Sequence, residues 1–179
     1  MAALVRIALI LLLGLTAPAL MAELPSQKEA VSAFYATVLA FQEPGIPSHA
    51  DTGKLKGLAS RNLRTLLGQA RKAEDLYGRR TKGEVPPLVE SRLFFSLFEG
   101  AHRLDTVTPE PGGTFLAGLS HGEGTNATNW SDRVFLKRER GRWVVDDIEF
   151  LGTWAFGDKG RVQDLLRDVI RTAAETPAP

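Results

Sequence analysis

The hydrophobic period of this chain changes twice, and the order of those changes limits its fold more than any single residue does. Val31, Phe34, Tyr35, Val38 and Leu39 recur at helical spacing behind Ser26-Gln27-Lys28-Glu29. That opening has the form of a capping box, in which the Ser hydroxyl and the Glu carboxylate serve each other's backbone amides. The helix should end near Phe41, ahead of the breaker Glu43-Pro44-Gly45-Ile46-Pro47. A second helical region is expected to start at Asp51. Its main part follows Ser60 as N-cap, with Leu63, Leu66, Leu67, Ala70 and Ala73 on one face and Gly78 as the residue that stops it.

Beyond Gly78 the helical period is lost. Residues 79–87 are polar and broken by Gly83, Pro86 and Pro87, which reads as a loop. The apolar run 93–98 fits a short helix, a turn or a strand equally well. Strands are expected near residues 102–107 and 114–119, around the turn-forming Pro109-Glu110-Pro111-Gly112-Gly113. The clearest strands are residues 133–138 and 142–151, joined by Glu139-Arg140-Gly141. Strict alternation in the second puts Trp143, Val145, Asp147, Glu149 and Leu151 on one face, and Val144, Asp146, Ile148 and Phe150 on the other. The period then returns to helical, from Asp158 as N-cap through Val162, Leu165, Leu166, Val169, Ile170 and Ala173. Helices, then strands, then a closing helix predict an α+β domain with an antiparallel sheet rather than a parallel βαβ sheet.

The first 22 residues read as a signal peptide: Arg6, an apolar run from Ile7 to Leu15, and small residues at Ala17 and Ala19. The run is shorter than the roughly 20 residues a bilayer span needs, and cleavage fits after Ala19 or Ala22. The expected product is a periplasmic or secreted chain with no membrane anchor after cleavage, one domain over residues 23–175, and a disordered tail at 176–179. Cysteine is absent, so neither a lipid anchor at the cleavage site nor a disulfide is available, and an apolar core must supply the stability. The formal charge is +1, and Arg6 is the only charged residue of the leader, so the exported chain is neutral. With no basic block, neither nucleic acid nor anionic lipid is an expected partner.

Chemical motifs are sparse. Asp51-Thr52-Gly53 has the spelling of an aspartic-protease loop, but that chemistry needs two such carboxylates, and Asp51 reads as a helix start. His49, His102 and His121 lack the paired spacing of a zinc site, and His121-x-Glu123 sits between glycines, so no metal or other cofactor is expected. No nucleophile elbow occurs, and Gly122-Glu123-Gly124 has no strand-to-helix frame of a phosphate loop. Asn126-Ala127-Thr128 and Asn129-Trp130-Ser131 have the form of glycosylation sequons but read as turn residues. Asp146, Asp147 and Glu149 crowd like charges into one strand, which suits either a tuned general base or acids bound to arginine. Trp130, Trp143 and Trp154 suit a ligand pocket or a core.

The order of these elements carries a resemblance. Phe34-Tyr35 on the first helix, Gly45-Ile46-Pro47, the leucine-rich helix 58–70 and residues 93–100 are followed by Trp130-x-Asp132 and Arg142-Trp143-Val144-Val145-Asp146-Asp147-Ile148. The chain resembles a family of exported bacterial proteins of unknown function with a nuclear-transport-factor-two-like, or cystatin-like, fold. That resemblance implies a curved, cone-shaped antiparallel sheet with helices on its concave side and a C-terminal helix packed on the sheet. In members of the wider superfamily that act as enzymes, an acid and a Tyr or His face the cavity. The resemblance therefore makes Tyr35, His102, Asp105, Trp143 and Asp147 the candidate pocket residues. Two functions are compatible: a non-catalytic module of the cell envelope that binds a small ligand or a protein, and a small acid–base enzyme of hydrolase or isomerase type. A pocket with a buried acid in hydrogen-bond reach of Tyr35 or His102 would favour the enzyme, and one filled by Phe and Trp the module.

Overall fold

The computed structural model describes residues 25–82, 91–155 and 157–175. The signal peptide, most of the expected 79–87 loop and the 176–179 tail lie outside them. The described chain is α+β: four helices and a five-stranded antiparallel sheet, in the strand order of the sequence and not closed into a barrel. No described helix is long and apolar enough to cross a membrane.

Helix α1 spans Gln27–Leu39, with Ser26 and Glu29 forming the capping box. Its face of Val31, Phe34, Tyr35 and Val38 is essentially inaccessible to solvent, and the helix touches β1, β2 and β4. The short α2, His49–Lys54, starts from Ser48 rather than Asp51. The Ser48 hydroxyl accepts the Asp51 N–H and donates to the Asp51 carboxylate, so Asp51 serves three residues inside the cap. Helix α3, Arg61–Arg80, starts from Ser60 as expected but runs through Gly78. A Cβ at Gly78 would meet nothing, so no packing calls for a stop there. The left-handed residue that follows the helix is Lys82, at φ 55°.

The strands are β1 Arg103–Pro109, β2 Phe115–His121, β3 Thr128–Glu139, β4 Arg142–Phe150 and β5 Gly160–Arg161. The β3–β4 turn is Arg140-Gly141, both at positive φ (50° and 83°), the backbone of a type I′ hairpin. Residues 93–98 form turns in which Leu93, Phe94, Phe95 and Ser96 are buried. Helix α4, Val162–Glu175, follows β5 directly, so Asp158 stands ahead of β5 and caps nothing. The helix packs mainly along α3 and also touches β4 and β5. Its Val162, Leu166, Val169 and Ala173 are buried, at about 1.5–3 kcal/mol for each large side chain.

Register corrects the expected alternation in β4. Leu136 pairs with Val145 and Phe135 with Asp147, which leaves Asp146 as the extra residue of a β-bulge. One extra residue reverses the phase beyond it. Trp143, Val145, Ile148 and Phe150 therefore share a face, and Val144, Asp147 and Glu149 share the other. The first face joins Val107, Phe115, Ala117, Leu119 and Val134 in the core under α1. The second is polar, with Arg133 bridging Glu110 (2.8 Å) and Glu149 (2.6 Å) and Arg161 lying 4.1 Å over the Phe135 ring. The outer edge of β4 is paired twice. Val145 exchanges hydrogen bonds with Leu58 and Ser60, and β5 pairs with Glu149 and Phe150.

Candidate functional site

The five candidate residues sit in five separate settings, and no hydrogen bond or ion pair joins any two of them. Tyr35 is wholly buried, with ring centroids 5.7 Å from Phe34 and 6.1 Å from Phe95. Its hydroxyl has no hydrogen-bond partner. Burial, and then the negative Asp132, push its pKa well above the ordinary 10. His102 stands just before β1 and stacks on His121, centroids 4.0 Å apart. The Gly122 N–H donates to His102 Nδ1 (3.2 Å), which assigns that proton to Nε2. His121 Nδ1 meets the Gly100 carbonyl at 2.8 Å and so carries its own proton there.

Asp105 is the extra residue of a second bulge, in β1, where Leu104 pairs with Leu119 and Thr106 with Gly118. The Arg103 side chain holds its pKa down through a short hydrogen bond, and Asp105 lines a shallow hollow of about 550 Å³ with Lys28 and Ser32. Trp143 is half-buried at the start of β4, with the Arg138 guanidinium 6.0 Å from its ring centroid. Asp147 is 8% exposed. Its Oδ1 accepts the N–H groups of Ile148 (2.9 Å) and Gln163 (3.1 Å). Burial pushes its pKa up, and those two bonds hold part of the rise back. Gln163 is the second residue of α4, so Asp147 does the capping that the sequence assigned to Asp158.

The centre of the polar interior is a residue outside that set. Asp132, on β3, is inaccessible to solvent and shares the core face with Val134 and Leu136. Four donors converge on its carboxylate. The Ser96 N–H (3.0 Å) and Trp130 Nε1 (3.0 Å) reach Oδ2, while the Leu151 N–H (3.1 Å) and the Ser96 hydroxyl reach Oδ1. Ser96 Oγ in turn accepts the Gly152 N–H at 3.0 Å. Trp130 packs edge-on against Trp154, centroids 5.5 Å apart. A Cβ on Gly152 would fall 2.6 Å from the Ser96 Cβ, so only glycine fits there. Burial raises the Asp132 pKa, against the four hydrogen bonds. The cluster fastens the 91–100 turns and residues 151–155 to β3.

Open space lies elsewhere. A cleft of about 650 Å³ runs between the start of α3 and the β3–β4 turn, lined by Lys56, Arg61, Arg64, Glu139, Arg140 and Arg142 with Ala59 and Val144 below. A second hollow of about 460 Å³ shares Arg61, Glu139 and Arg140 and adds Lys137. Both Glu139 carboxylate oxygens accept the Arg61 backbone N–H, at 3.2 and 3.1 Å, which places this acid at the positive end of α3. Arg64 Nε donates to the Ala59 carbonyl. None of the five cations is within ion-pair distance of a carboxylate among the described residues. No group of three or more His, Asp or Glu side chains able to hold a metal ion occurs among them either.

Asp132 and the cleft both escape the sequence reading, for different reasons. With β3 expected to start at residue 133, Asp132 fell outside the strand. Extending the alternation Leu136, Val134 back by one step puts Asp132 in the apolar phase, and an acid in that phase is the signal. The cleft has no linear signal, because its cations come from two segments separated by more than 70 residues of sequence. Comparison with family models, with curated proteins and with solved structures finds no match, so the site is read from its own geometry.

Proposed function

We propose that this chain is an exported, non-catalytic ligand- or protein-binding module of the cell envelope, periplasmic or secreted. Its sheet would curve into a cystatin-like cone around α1, as in the family its sequence resembles. One observation carries the reading: the buried Asp132 is saturated by four donors and surrounded by packed aromatic and aliphatic side chains. A general base must reach a substrate proton, directly or through one water, at about 3 Å. Every lone-pair direction of Asp132 is instead taken by the fold. Asp147 is likewise committed to backbone amides. The acid–base alternative would pair an interior carboxylate with Tyr35, whose hydroxyl is buried without a partner. A tyrosine pushed well above its ordinary pKa is a poor proton donor near neutral pH.

The test is the thermal and urea unfolding of Asp132→Asn. An amide turns a donor toward donors that the carboxylate accepts, so the module reading expects a loss on the order of 3 kcal/mol. The enzyme reading expects the reverse, since active-site acids are held in surroundings that cost stability. An unchanged or raised midpoint would overturn the module assignment.

A further inference from the structure

We infer that the cleft between the start of α3 and the β3–β4 turn is a binding site for a small multivalent oxyanion, one carrying at least two phosphate or carboxylate groups. Lys56, Arg61, Arg64, Arg140 and Arg142 line it, opposed by the single carboxylate of Glu139. Elsewhere in the molecule Arg71, Arg103, Arg133, Arg167 and Arg171 hold a carboxylate within ion-pair distance. None of the five cleft cations does among the described residues. Like charges gathered around a concavity repel one another and focus a positive potential into it, and a bound counter-charge relieves that repulsion. Guanidinium groups suit this task, because their planar forks match the oxygens of phosphate and carboxylate.

Glu139 shows what the ligand's oxygens would meet. Its carboxylate already occupies the amide of Arg61, the first residue of α3, as a ligand anion would. One carboxylate against five cations leaves most of the charge unanswered, hence the requirement for two or more anionic groups. A volume of about 650 Å³ admits a small metabolite-sized molecule. A polymer fits worse. The whole chain carries only +1, so a cleft this positive leaves the remaining surface net acidic, which repels an extended polyanion.

The inference rests on the binding-module reading, yet the two fail separately: a null titration leaves the Asp132→Asn result standing, and the reverse. The probe is inorganic pyrophosphate, titrated by calorimetry and by amide shifts of residues 56–64 and 137–142 at low ionic strength. We expect saturable binding with Kd on the order of 0.1–1 mM, weakening as salt rises. Arg140→Asn keeps the left-handed turn geometry while removing a charge. Combined with Arg142→Gln it should weaken binding at least about tenfold, whereas Glu139→Gln should tighten it about two- to fivefold. Vesicles of phosphatidylglycerol and phosphatidylcholine separate a headgroup from a soluble source. Capture that pyrophosphate displaces would place a lipid phosphate in this cleft. The inference is overturned by no saturation up to about 10 mM pyrophosphate, by sodium chloride at matched ionic strength giving the same shifts, by affinity of the double variant within about twofold of wild type, or by vesicle capture that pyrophosphate does not displace.

Discussion

Asp132 and Glu139 lie on the same strand, both accept backbone N–H groups from neighbouring segments, and they end in opposite circumstances. Asp132 faces the core and meets four donors, with no cation within ion-pair distance among the described residues. Glu139 lies at the turn, holds one amide and shares its cleft with five cations that have no acid within ion-pair distance among the described residues. Inside, the number of donors matches what a carboxylate can accept, because a buried mismatch costs several kcal/mol. At the surface water tolerates the imbalance, so charge can be left over for a partner. The contrast separates a polar cluster that completes a fold from one with capacity to bind.

The sharpest way to break this comparison is Ser96→Ala. It deletes one donor to Asp132 and strands the Gly152 N–H, two buried interactions at once. The expected loss is about 2–3 kcal/mol, read from urea melts and independent of salt. A midpoint close to wild type would mean that water or a shifted backbone replaces the hydroxyl, and that the interior is less closed than its hydrogen bonds indicate.

How far the sequence reveals this arrangement depends on whether the determinants are local. The capping box at Ser26, the Ser60 cap, the β3–β4 turn and the stripe of α4 are decided by neighbours within one or two turns, and all were readable. The faces of β4 were not. Alternation assumes an unbroken ladder, and the bulge at Asp146 depends on pairing with Phe135 and Leu136 across the sheet. The same limit moved the α4 cap from Asp158 to Asp147, since a capping group from another strand leaves no trace near the helix start. Gly78 failed differently: a glycine signals a helix end only where φ turns positive, and here Lys82 takes that conformation. Of the candidate residues, Asp147 carries a signal in its crowded strand charges and Asp105 only through the family resemblance, while the cleft arginines have the sequence context of ordinary solvated side chains.

Glu74 on α3 is the intermediate case, buried like Asp132 but poorly served. Arg71 approaches only to 3.4 Å, and Oε1 has no partner. Burial raises its pKa to about 7, the Arg71 charge opposing that rise. Between the ordinary value of 4.5 and about 7 the folded state binds more protons than the unfolded one, so stability falls as pH rises through this window. Glu74→Gln mimics the protonated acid. It should leave stability nearly unchanged below about pH 4 and raise it at pH 8, by on the order of 2 kcal/mol. Equal midpoints for the two proteins at pH 8 would show that Glu74 stays solvated and ionised in the fold.

Glu139→Gln should have the smallest effect, and its dependence on salt is what sharpens the comparison. The amide oxygen can still accept the Arg61 N–H, so the hydrogen bond at the start of α3 survives. What is lost is the one negative charge among Lys56, Arg61, Arg64, Arg140 and Arg142. At the surface that charge is worth less than about 1 kcal/mol, through its attraction to the cations and to the helix end. Both attractions are screened, with a Debye length of about 30 Å at 0.01 M salt falling to about 3 Å at 1 M. Urea melts at these two salt concentrations should therefore show a deficit for the variant at low salt and none at high salt. The Ser96→Ala deficit, held in a buried interior, should be the same at both. If Glu139→Gln proved equally costly at high salt, Glu139 would be serving a packing role like Asp132, and the cations around it would no longer count as charge left over for a ligand.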